Sequence, residues 1–389
     1  MPPKTSSVER LDKQTFLFNI REGAMRRRLG LAMALVLVMA MVLPACTEPA
    51  GDKQDGKSYK VAFIYADAPG DLGWTYEHER GRNMLEEEFG DQIIITYAEN
   101  IADGPEAARV MRRYAQEGYD LIFATSSGYI DYVYQVAEEF PEIKFAHCSG
   151  NRTRHNMTTY FGRMYQPRYL SGIVAGKMTM TGNIGYVAAF PTPEVVRGIN
   201  AFTLGVRSVN PEARVTVRWT DTWDSPAKER EAAVALVDAG ADIIAQHQDS
   251  TEPQKVAQER GVLSIGYNSD MRPFVGDTVL TGPVWNWGPY YIETVQEAMD
   301  GAWVSRQYWE GLESDVVRLA DFSAKVPPDV RTLVEAARTQ IIRNDRIFCG
   351  PIRDQAGNQL VGTGACLSDA DKLTMQFFVE GVVGTIPNN

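Results

Sequence analysis

The residues of this chain that could hold a small molecule sit where apolar runs end. After the first run comes Asp67-Ala-Pro-Gly-Asp71-Leu-Gly73-Trp74-Thr75-Tyr76, which sets an indole at a helix start beside glycines that let a ligand approach closely. Trp74 reads as a stacking platform with Thr75 next to it; the competing reading is a Trp that covers a lobe edge. Thr125-Ser126-Ser127-Gly128-Tyr129 offers hydroxyls and amides at a helix start, suited to a polar contact with a neutral ligand or to ordinary capping. Farther on, the loops holding Phe190, Trp223, Asp249 and Asp270 each follow a strand-like run, and Trp285, Trp287 and Tyr290 cluster downstream. Aromatics mixed with carboxylates suit a planar heterocycle, whose faces stack for roughly 1–3 kcal/mol per base while its N–H groups donate to carboxylates. They would also suit a sugar, which lays its apolar face on Trp.

Other chemistries lack their residues. The four histidines, His78, His147, His155 and His247, show no metal spacing, and Glu77-His78-Glu79 reads as a solvated helix face. No GxSxG elbow follows a strand, no GxxxxGK(S/T) loop appears, and no carboxylate pair can be assigned. No enzyme, cofactor or metal site is therefore expected. The net charge is −11, and residues 1–45 carry seven basic against three acidic residues, so the remainder stands at −15. That excludes nucleic acid as a partner and favours a neutral or cationic ligand.

The elements that must position these loops alternate in β–α order. YKVAFIYA, IIITYAEN, DLIFATSS and IKFAHC read as strands separated by helices, and the rhythm restarts near residue 184 with NIGYVAAF, RVTVRWT, DIIAQHQ and LSIGYN. Two such sets predict an α/β protein of two Rossmann-like lobes with parallel sheets, the ligand lying beyond the C-terminal strand ends in the cleft. The first lobe is assigned to residues 59–167 plus about 287–312, the second to 168–286 plus about 313–389. VLTGPVWNWGPYY would carry the chain back to the first lobe. Cys349 and Cys366 flank a Gly-rich turn and could form a disulfide or remain free, and Cys148 reads as an inert buried thiol.

Upstream, Arg26, Arg27 and Arg28 precede an apolar run from Leu29 to Leu43, too short to span a bilayer, which closes on Leu43-Pro44-Ala45-Cys46. This resembles a bacterial lipobox, in which the cysteine is acylated after cleavage. Residues 25–45 are then a lipoprotein signal peptide and 46–58 a flexible tether, with 1–24 an extension ahead of the true start. The expected location is the cell membrane, lipid-anchored, facing the periplasm or exterior.

From about Tyr59 onward the chain resembles the basic membrane protein family of substrate-binding lipoproteins, which includes purine nucleoside receptors. The resemblance rests on GDLGWTY, AEEFPEIKFA, GYVAAFPTPEVVRGINAFTLGVRSVNP, SIGYNSDM and VLTGPVWNWGPYY. It implies a type I periplasmic-binding-protein architecture with a multi-strand hinge, an ABC permease and an ATPase as partners, Trp74 at the stacking position, Asp270 as a ligand hydrogen-bonding group, and Asp131 or Tyr129 on the first-lobe side. Trp285 stands where nucleoside-binding members carry a lysine, a change that favours a bare purine base such as adenine. The alternatives are another planar or sugar-like ligand, or a sensor that reports occupancy to a membrane signalling partner.

Overall fold

A computed structural model describes residues 58–387, apart from Asp71. The predicted signal peptide, Cys46 and nearly all of the tether lie outside the described residues.

The first sheet is built from β1 (Tyr59–Ile64), β2 (Ile93–Ala98), β3 (Leu121–Ala124), β4 (Lys144–Cys148), β5 (Met157–Gly162) and β11 (Gln307–Glu310), in the order β11-β5-β4-β3-β1-β2. Every pairing in it is parallel. Its central strands bury both faces, which is why β1 and β3 read as unbroken apolar runs rather than as alternating ones. Helices α1 (Trp74–Phe89), α2 (Pro105–Gln116) and α3 (Ile130–Glu139) make the crossovers.

The second sheet has the order β15-β7-β6-β8-β9 and is also parallel, with β6 (Asn183–Ala188), β7 (Arg214–Trp219), β8 (Ile243–His247), β9 (Leu263–Ser264) and β15 (Val382–Val383). Around it lie α4 (Tyr165–Met178), α5 (Pro193–Val209), α6 (Pro226–Asp238), α7 (Glu252–Glu259) and the short α8 (Arg272–Val275). Helices α4 and α5 cross almost backbone to backbone. A Cβ on Gly172 would stand 2.1 Å from the Phe202 carbonyl oxygen, and one on Gly205 2.1 Å from that of Tyr169.

The chain passes between the sheets three times: from β5 into α4, from β10 (Pro283–Trp285) into α9 (Gly288–Met299), and from β11 into β12 (Val317–Leu319). β10 and β12 pair antiparallel outside both sheets and form the hinge. Helix α9 packs on α1 of the first lobe, and α10 (Pro328–Arg343) packs on α4 of the second. The last segment adds a hairpin of β13 (Ile352–Arg353) and β14 (Gln359–Val361), a one-turn helix α11 (Asp369–Leu373) and strand β15. Cys349 and Cys366 are disulfide-bonded at its base.

Candidate functional site

A cavity of about 490 Å³ opens where the C-terminal ends of both sheets face each other, within the ~300–1,000 Å³ usual for small-molecule sites. The first lobe supplies Asp67 and Trp74 after β1, Asn100 and Asp103 after β2, Ser126 and Ser127 after β3, and Ser149 after β4. The second supplies Glu194, Trp223, His247, Asp249 and Tyr267. Several loop residues that shape it, Asn100, Ser149 and Asn268, take left-handed backbone with φ between 57° and 65°, a conformation costly for residues other than glycine.

Trp74 is fixed on every side but the one that faces the cavity. Its Nε1 donates to the Thr125 carbonyl at 2.9 Å. Its ring meets Trp285 and Trp287 edge-on at 5.4 and 5.9 Å and His78 at 4.6 Å. His78 is fully buried, stacked on Trp287 at 5.0 Å and bonded through Nδ1 to the Tyr291 hydroxyl at 2.5 Å. The expectation of a solvated Glu77-His78-Glu79 face therefore fails at its first two residues: Glu77 is only 1 % exposed. Two contacts explain this: the return of α9 lays Trp287 and Tyr291 against His78, and Ser269 of the second lobe closes over Glu77.

Asp249 faces Trp74 from the second lobe. Its pKa is pushed up to about 8, first by burial and then by the neighbouring carboxylates of Glu229, Asp224 and Asp67, against a hydrogen bond from Asn268. Asn268 Nδ2 donates to Asp249 Oδ1 at 2.7 Å while its Oδ1 accepts from Trp285 Nε1 at 3.2 Å, so Trp285 sets which way the amide points. Beside Asp249, His247 lies 4.4 Å from the Tyr267 ring and 6.2 Å from Trp223. Burial first, and then Arg168 and Arg197, hold its pKa well below the ordinary value, so it presents a neutral imidazole. The two lobes touch at this edge. The Ser269 hydroxyl reaches the Leu72 carbonyl at 2.7 Å and Glu77 Oε1 at 2.5 Å, and a Cβ on Gly73 would stand 2.6 Å from the Asp249 carbonyl oxygen.

Of the residues singled out from sequence, the cavity gathers Trp74, Ser126, Ser127, Trp223 and Asp249. The Ser126 hydroxyl donates to Asp103 Oδ1 at 2.7 Å. The others stand elsewhere. Thr75 is buried beneath the loop with its hydroxyl unpartnered. Tyr129 is buried and donates its hydroxyl to the Ile101 carbonyl. Asp131, in the first turn of α3, pairs with Arg152. Phe190 sits behind Trp223, edge to face at 5.3 Å. Asp270 is taken by Arg272, which donates from Nε at 2.9 Å and from Nη2 at 2.5 Å. Trp285 and Trp287 are fully buried and stacked on each other at 4.7 Å, behind Trp74 rather than on the wall.

Sequence reasoning passed over Asn100, Asp103, Ser149, Glu194 and Tyr267. Four of them follow strands, and applying the strand-end rule to AENIADG, CSGN and GYN as strictly as to the aromatic loops would have found them.

Two parallel α/β lobes, hinged by three chain crossings and holding an aromatic, carboxylate-bearing cavity at facing strand ends, define a two-lobed small-molecule binding protein. Residues 58–346 match the family of PnrA-like ABC transporter substrate-binding proteins, and the chain belongs to that family. It is thus a binding protein and not an enzyme; it works outside the cytoplasm and delivers a small molecule to a permease. Among relatives, it is 44 % identical over 329 residues to a purine-binding protein of Brucella abortus, covering 84 % of this chain and 94 % of that one. It is 41 % identical over 345 residues to a putative ABC transporter glucose-binding protein of Haloferax volcanii, covering 88 % and 85 % respectively. A solved ABC transporter solute-binding protein of Conexibacter woesei superposes with a TM-score of 0.64 at 22 % identity, over 74 % of this chain and 97 % of that one, and shares the fold. No described helix is long and apolar enough to cross a membrane.

Proposed function

We propose that the protein captures a purine, as base or nucleoside, in the interlobe cavity and hands it to its permease, held at the membrane by a lipid on Cys46. The observation that carries the ligand is the pair formed by Trp74, a braced indole with one side toward the cavity, and Asp249, a recessed carboxyl opposite it. The ring stacks on Trp74, and Asp249 takes an N–H of its edge. The purine-binding relative supports the same ligand. The anchor rests on Arg26 to Arg28, the apolar run and Leu43-Pro44-Ala45-Cys46.

A sugar is the second reading, favoured by the relative named as a putative glucose-binding protein. Calorimetric titration of the protein, unfolded and refolded to strip carried-over ligand, against adenine, guanine, adenosine and sugars separates the two. Trp74→Ala should weaken purine binding by about 1–3 kcal/mol. An unchanged affinity in that variant would remove the stacking role.

A further inference from the structure

The lobes share a hydrogen-bond chain outside the cavity wall, at the edge where α1 begins. Ser269, in the turn between β9 and α8 of the second lobe, sets its hydroxyl between two groups of the first: the Leu72 carbonyl at 2.7 Å and Glu77 Oε1 at 2.5 Å. Ser269 and Glu77 are both buried. Leu72 takes left-handed backbone there, φ 67°, a conformation that costs a leucine energy.

A hydroxyl carries one hydrogen, and both of its neighbours here are acceptors when Glu77 is ionised. Ser269 then serves either the carboxylate or the Leu72 carbonyl, and the other oxygen faces it with no hydrogen between them. With a proton on Glu77 Oε1 the chain closes. Glu77 donates to Ser269, Ser269 donates to Leu72, and two hydrogen bonds join the lobes in place of one.

The charges around Glu77 come from four elements. On α1, Arg80 Nη1 reaches both carboxyl oxygens, at 3.0 and 2.9 Å, from a side chain 41 % exposed, while Glu79 is engaged by Arg82. From the hinge strand β12, Arg318 acts at longer range and pairs with Asp315 at 3.8 Å. On the Ser269 turn, Asp270 is held by Arg272. Helix α9 turns Trp287 and Tyr291 toward His78, and its Glu293 and Glu297 pair with Arg306. Burial outweighs the two arginines and raises the Glu77 pKa above its ordinary 4.5. Parting the lobes at Ser269 uncovers the carboxyl, so closing and proton uptake are linked: closure is favoured below the raised value and weakened as pH climbs through it.

We propose that Glu77, Ser269 and Leu72 form a proton-keyed latch between the lobes, in which protonated Glu77 holds the cleft shut and its ionisation eases opening. The latch works on whatever solute the cleft holds, so bound solute is retained longer in a more acidic medium.

Glu77→Gln keeps a donor toward Ser269 at every pH, and Ser269→Ala removes the link. The full-length protein and both variants, stripped of ligand by unfolding and refolding, are compared by small-angle scattering from about pH 5 to 7, with thermal melts to confirm folding. That window lies above the ordinary carboxyl value and below the pKa of about 8 at Asp249. The radius of gyration of the unaltered protein should grow with pH, while Glu77→Gln keeps the smaller radius throughout and Ser269→Ala the larger. A radius that stays flat in the unaltered protein overturns the proposal. So does a Glu77→Gln variant that follows the unaltered protein, because the response then belongs to other buried carboxyls such as Glu194 and Glu229. The radius is read without ligand, so a failure of adenine to bind would sink the purine reading and leave this test decisive.

Discussion

At the scale of single residues, Asp249 is held in the state that costs the free protein least. Its pKa of about 8 stands above the ordinary 3.8, so the folded chain holds a proton there that the unfolded chain has released between about pH 4 and 8. The unfolded state binds fewer protons in that window, so stability falls as pH rises through it and is lowest above about pH 8. Glu77, Glu194 and Glu229 are also shifted upward, mainly by burial, and add slope of the same sign. Asp249→Asn should therefore melt higher than the unaltered protein near pH 8.5 and show a flatter profile by calorimetric scan. Binding should run the other way. If the carboxylate accepts a ligand N–H, affinity for adenosine, which does not titrate there, rises from about pH 7 to 9 and plateaus, and Asp249→Asn loses both the rise and most of the affinity. A pH-independent adenosine affinity would take Asp249 out of the contact. Trp74 and Asp249 could be picked out because an aromatic and a carboxyl in post-strand loops are unusual residues. The carboxyls of Asp131 and Asp270 looked the same in sequence. Asp131 is neutralised by Arg152, 21 residues away and brought there only by the fold, whereas Asp270 is taken by Arg272 two residues on, a local pairing that the sequence did carry.

At the scale of elements, the alternation of apolar runs with helices made most strands and both sheets legible, since a parallel strand buried on both faces leaves an unbroken apolar signature. β5 and α4 were not legible. MTTYFG is buried throughout but half polar, its threonines serving neighbours such as the Arg306 carbonyl, and α4 is buried over most of its surface and so lacks an amphipathic period. Trp285 misled for a related reason: a Trp after a strand suggests a wall residue, but the strand is the hinge and the ring turns into the aromatic cluster under Trp74. Gly73 illustrates an element boundary decided by contact. It precedes α1, and any side chain there would drive into the Asp249 backbone of the opposite lobe. Gly73→Ala should leave each lobe folded, with a melting temperature near that of the unaltered protein, but hold the lobes apart at this edge. Ligand affinity is expected to drop about tenfold or more, and small-angle scattering in the presence of ligand should give a larger radius of gyration than for the unaltered protein. Equal affinity and radius would mean that this contact has room to yield.

At the scale of the molecule, the second sheet is completed only by the end of the chain; residues after α10 run back across the second lobe before β15 joins the sheet beside β7. They are held at separated points. Asn200 donates to the Phe377 carbonyl at 2.7 Å and accepts from Val379 N at 3.0 Å, Trp219 donates to the Thr385 carbonyl at 2.8 Å, and β15 extends the sheet beside β7. The front of the segment is tied differently. Arg163, at the first crossing, holds Asp369, and Tyr165 on the next turn donates to Asp345 at 2.5 Å. Between these anchors the Cys349–Cys366 disulfide closes a loop of 17 residues. Closing a loop of that length removes unfolded-state entropy worth about 3 kcal/mol. Cys349→Ser with Cys366→Ser should therefore lower unfolding stability by about 2–4 kcal/mol in denaturant titration, and reduction of the unaltered protein should reproduce the loss. Because the purine cavity draws no wall from this segment, adenine affinity should survive the double substitution. A fall in adenine affinity alongside the loss of stability would mean that the segment supports the closed cleft as a whole.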